Sequence, residues 1–69
     1  MAPGESALDV ARRNVLAARQ VVERQKQIIA TKTAAGSDTT VSEGLLATFQ
    51  RTLTTFEDHL AAVIAGIKL

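Results

Sequence analysis

Apolar side chains recur at every seventh position in two separate runs of this chain. Leu8, Val15, Val22 and Ile29 form the first run, and Leu46, Leu53, Leu60 and Ile67 the second. A period of seven marks a helix with one continuous apolar seam. The second run is the stronger, because Phe49, Phe56 and Val63 fall between its members and give spacings of three and four. Leu45 and Ile64 flank it. In heptad lettering, with Leu8 and Leu46 at a, the first run has a weaker d row: Ala11, Ala18, Gln25 and Lys32. Val21 and Ile28 at g widen its stripe, while Arg12, Arg19 and Lys26 stand on the other side of the seam, at e. The small Ala11 and Ala18 allow a facing helix to come close.

The punctuation agrees with two helices. Ser6 and Asp9 form a capping-box-like start, and no Gly or Pro interrupts residues 7 to 35. Pro3 and Gly4 ahead of them disfavour helix, so the first residues are expected to fray. Gly36 is placed to end the first helix in the left-handed conformation, and Ser37 and Asp38 follow as turn residues. The second helix is capped by Asp38, or by Thr40 with Glu43 completing a capping box. Gly44 is its weak point for helix propensity, and Ala62 and Gly66, four apart, permit close contact. The expected domain is one helical hairpin over 1–69: helix 7–35, turn 36–38, helix 39–67. A short link makes antiparallel neighbours. Folding about the turn brings residue i near residue 75 − i, which sets Lys32 near Glu43 and Arg19 near Glu57.

Size then becomes the problem. Sixty-nine residues build a marginal core, and the absence of cysteine removes disulfides and thiolate ligands. The two stripes are wider than one neighbouring helix covers, and an uncovered stripe is an association surface. The expected fold is therefore all-α: a two-helix antiparallel hairpin that dimerises into a coiled-coil-like four-helix bundle. Its core and dimer interface would be Val15, Val22, Ile29, Leu46, Phe49, Leu53, Phe56, Leu60, Val63 and Ile67. The rival assemblies are a higher oligomer and a complex with another helical protein. Gln25 is the main polar intrusion. It is read as a seam residue reaching the bundle edge, with a buried polar pair that sets register or oligomeric state as the sharper alternative.

Charge refines this reading. Residues 1–36 carry net +3 and residues 37–69 net −2, which suits charge pairing along the helix flanks. A basic stripe for nucleic acid is the competitor. Dimeric helical hairpins of about this size bind RNA through exposed helix faces, as plasmid copy-number regulators of the Rop type do. The contacts here would be Arg13, Gln20, Arg24 and Gln27. Tyr and Trp are absent and both Phe belong to the seam, so no stacking platform remains, and Glu23 interrupts the patch. Nucleic acid is thus the weaker expectation.

Chemical readings fare worse. His59 is the only histidine, and no Ser, Cys or second His forms a constellation with it. Glu57 and Asp58 are adjacent, about 100° apart on a helix, and the Glu-x-x-His spacing of metal-binding bundles is missing. No enzyme activity, cofactor or metal is expected. No basic start precedes an apolar stretch, and the strongest apolar run, Leu60 to Ile67, is far short of the ~20 residues that span a bilayer. The second helix carries too little positive charge for a membrane surface. The chain reads as soluble and cytoplasmic.

The segments Arg24-Gln25-Lys26-Gln27-Ile28-Ile29, Gly36-Ser37-Asp38-Thr39 and Leu45-Leu46-Ala47-Thr48-Phe49, with Leu53 beyond, also carry a resemblance. They are similar to short helical-hairpin proteins of rhizobia and related alphaproteobacteria, which show R-Q-x-x-I-I, G-x-D-T, LL-x-x-F and a downstream His. The match spans about residues 12 to 60. It implies the hairpin fold, a bacterial setting and no particular activity. Ser37 stands where such proteins often carry His, so no role for a turn histidine transfers.

Overall fold

At the start of the first helix, the Ser6 hydroxyl accepts the Asp9 N–H at 3.1 Å, and the Asp9 carboxylate accepts the Ser6 N–H at 3.3 Å. This reciprocal pair satisfies two backbone donors that a helix start leaves open. The helix it opens is α1, Ala7–Ala34. A computed structural model describes residues 6–68, so the expected fraying about Pro3 and Gly4 lies outside the described residues.

The helix closes as its glycine demands. Gly36 takes φ 74°, where a Cβ would be strained. The Gly36 N–H reaches Thr33 O at 3.1 Å and the Ser37 N–H reaches Lys32 O at 2.8 Å. Those two bonds make a Schellman motif and occupy carbonyls that α1 leaves without intrahelical partners. The chain then reverses through Ser37–Thr39 into α2, Thr40–Lys68. Asp38 does the capping: its Oδ1 accepts the Thr40 N–H at 2.9 Å and the Thr40 hydroxyl at 2.7 Å. The Thr40 hydroxyl is therefore a donor to Asp38, and the alternative of a capping box led by Thr40 gives way to this arrangement.

The two helices lie against one another as an all-helical hairpin, and no strand occurs among the described residues. Arg19 Nη2 meets Glu57 Oε2 at 3.5 Å, the pairing expected from folding about the turn. Both groups are well exposed, so the pair is worth ~0–1 kcal/mol and reports register more than it creates it. The molecule measures 51 × 23 × 14 Å with a radius of gyration of 15.9 Å. A compact chain of this length would have a radius of gyration of about 11 Å. A pair of helices ~42 Å long laid side by side explains the difference.

Candidate association surface

The seam is built unequally by its two helices. Among the described residues, Ala11, Val15, Ala18 and Val22 are the buried apolar ones, and all belong to α1. Their small size lets α2 approach. The same small size means that they cannot enclose what α2 brings. Leu46, Phe49, Leu53, Phe56, Leu60 and Val63 all remain half-buried, as does Ile29 on α1. Among the described residues no large side chain is fully buried. Ile67, expected in the core, is 63% exposed in the single chain because it lies at the open end of the seam.

Near the turn the seam becomes polar. Gln25 is only 7% exposed and Ser42 only 3%. Gln25 Nε2 donates to the Ser42 carbonyl at 2.8 Å, and Lys32 Nζ donates to Ser42 Oγ at 2.9 Å. Gln25 thus sits inside the seam and does not reach an edge. Its partner is the opposite helix of the same hairpin. Lys32 is aimed one residue short of the expected Glu43. Ser42 was not singled out in the sequence, although it lies seven before Phe49 and so continues the d row of α2. Its hydroxyl hid it from an apolar pattern. These two bonds link the three residues across the hairpin, and no buried side-chain nitrogen or oxygen among the described residues lacks a partner.

Farther from the turn, an open groove of about 340 Å³ runs between the helices. Ala17, Ala18 and Val21 line it from α1, and Thr48, Phe49, Thr52 and Phe56 from α2. Both aromatics of the chain therefore show part of their surface there. Val21 is 43% exposed, and Ile28 and Leu45 are exposed on the same flank, at the g positions of the two heptad patterns. This is the surface that water covers least favourably.

The remaining candidate residues lie on the surface of the hairpin. His59 is exposed, and Glu57, two residues before it, is engaged by Arg19. Among the described residues no group of three or more His, Cys, Asp or Glu is arranged to hold a metal ion. Arg13, Gln20, Arg24 and Gln27 are all exposed on α1. Of these, Arg24 and Gln27 line one shallow depression, together with Ile28, Thr31 and Lys32. No helix among the described residues is long and apolar enough to cross a membrane. No protein-family model, no curated protein and no solved structure matches the chain.

Proposed function

We propose that this chain is a non-enzymatic association module, an accessory or regulatory protein that acts through protein contacts. Its functional unit is a homodimer in which two hairpins close a four-helix bundle. The observation that supports this reading is the half-exposed seam of α2. Six large apolar residues that an isolated hairpin leaves partly wet are enough to form one side of a bundle core. The total surface agrees. The chain exposes 5155 Å², whereas a compact monomer of its mass would expose about 4,200 Å². The excess, about 1,000 Å², is close to the ~800 Å² that each partner contributes to a standard interface.

Sedimentation at micromolar concentration tests the proposal. The expected mass is twice the 7.3 kDa of the chain. Leu53→Asp puts a charge at mid-seam, and both the dimer mass and the helical signal should be lost. A compact, folded monomer would end this reading.

A dimer that binds RNA in the Rop manner is the second reading. The depression beside Arg24 and Gln27 favours it. Such contacts go to phosphates and weaken steeply with salt. A gel shift with RNA and duplex DNA at low salt separates the two readings, and no retardation of either removes the second.

A further inference from the structure

The hairpin has two open flanks, and they differ in kind. One carries the Arg19–Glu57 pair, with Arg12 and Lys26 beside Arg19 at the e positions of α1 and Glu43 at the matching position of α2. The other carries the groove. Along α1 and α2 the c and g positions of this second flank hold a single charge, Arg24, among Val, Ile, Leu, Ala and Thr residues with one Asn, one His and one Gly. Seven large apolar residues are exposed among the described positions. Five of them, Val10, Val21, Ile28, Val41 and Leu45, fall on this flank by helical phase, whereas Leu16 falls on the charged flank and Ile67 at the seam end. The geometry points to the groove flank as the face that receives a second copy of this chain, with the charged flank turned to water. This assignment rests on the dimer proposed above and names its face.

Three features select a second copy as the occupant. First, the surface in excess of a compact monomer, about 1,000 Å², is close to the ~800 Å² that one partner of a stable dimer buries. Second, a twofold interface sets the same patch against itself, so closing on the charged flank would take Arg12, Arg19, Lys26, Glu43 and Glu57 of both copies out of water at a large desolvation cost. The groove flank has almost no charge to desolvate. Third, the groove spans residues 17–21 and 48–56, the middle of both helices. A twofold axis through the middle of the hairpin overlaps the two copies along their full length and buries the rims of both grooves. An axis near either end would leave half of each flank wet.

Four single substitutions test the assignment, two to glutamate and two to cysteine for crosslinking. Val21→Glu and Leu16→Glu make the same chemical change on opposite flanks, and Leu16 is the more exposed of the two, at 58% against 43%. Val21→Glu should weaken the dimer about a hundredfold or more, since each copy would bury an unpaired carboxylate. Leu16→Glu should leave the dissociation constant within about twofold, as expected for a change on a solvated surface. The chain has no cysteine, so Thr52→Cys on the groove flank and Thr54→Cys on the other give clean attachment points. These milder changes guard against a Val21→Glu chain that simply unfolds. With a bis-maleimide of about 8 Å span, Thr52→Cys should join two chains. Thr54→Cys should not, because outer flanks of a bundle two helices deep stand roughly 20 Å apart. A wild-type monomer would overturn both the dimer and its face. A wild-type dimer that survives Val21→Glu, or that crosslinks through position 54 in preference to 52, would leave the dimer standing and overturn the face.

Discussion

Gln25 is the residue where two opposing effects are closest in size. Its amide donates one buried hydrogen bond to the Ser42 carbonyl, worth ~0.5–1.5 kcal/mol net. A leucine of similar length would gain ~1.5–3 kcal/mol of apolar burial at the same place. The Ser42 carbonyl would not be orphaned, because it lies inside α2, where the helical ladder also supplies a donor. Gln25→Leu is therefore expected to stabilise the fold by about 1 kcal/mol, a rise of roughly 4–8 °C in Tm for a domain this small. Its cost should appear elsewhere. The bond to one particular carbonyl is directional, whereas apolar contact tolerates sliding, so the variant should show broadened or doubled amide resonances. A lower Tm with one sharp set of resonances would contradict this account. Val15 and Val22 of the apolar pattern are buried, whereas the pattern left the place of Gln25 open between edge and interior and passed over Ser42. Period alone locates a seam position. It cannot say whether a polar residue there has found a partner across the gap, since that depends on the register of two helices to within one residue.

At the scale of the element, helix ends were more legible than helix interiors, because caps use local chemistry. Ser6 with Asp9, and Gly36 at positive φ, need only their own neighbours to act as they do. The start of α2 was ambiguous for a local reason too: Asp38 and Thr40 offer competing oxygens two residues apart. The structure resolves the competition in favour of the carboxylate, which accepts both Thr40 donors. The Thr40 hydroxyl, then the Thr40 N–H, hold the Asp38 carboxyl below its ordinary value of 3.8, helped by the charge of Lys32. A carboxylate with a lowered pKa stabilises the fold fully above its unfolded value, and that contribution disappears as pH falls through the folded one. Asp38→Ala should therefore lower Tm at pH 7, and the gap between wild type and variant should narrow below pH 3.8. Thermal melts of the two proteins from pH 7 to pH 2 read this directly. A gap that stays constant throughout would show that Asp38 acts without its charge. The two flanks of the helices were harder to rank. Val21 and Ile28 at g and Arg19 and Lys26 at e were visible in the sequence. The open groove between α1 and α2 depends on Phe49 and Phe56 lying across alanines that cannot cover them, which is a property of two faces together.

For the whole molecule, the distinction between a self-sufficient hairpin and half of a bundle has a thermodynamic signature that needs no mutation. Among the described residues the buried apolar side chains of one chain are two alanines and two valines, and the large side chains of α2 stay half-buried, so a single hairpin leaves much of its apolar seam in contact with water. If the interior is completed by a second copy, folding and association are one event, and the melting temperature depends on concentration. Two copies of 69 residues at ~0.7 kcal/mol per residue give an unfolding enthalpy of about 97 kcal/mol near 60 °C. For a two-state dimer, a tenfold increase in concentration then raises Tm by roughly 5 °C. Melts between 1 and 100 µM should span about 10 °C. A monomeric hairpin would melt at the same temperature throughout, and a larger assembly, which has more chains released per event but proportionally more enthalpy, would give a different slope when analysed with the calorimetric enthalpy. Val21→Glu measured over the same range should lie lower at every concentration, because the lost contact belongs to the associated state. Leu16→Glu should fall on the wild-type line, because a carboxylate there remains in water whether the partner is present or absent.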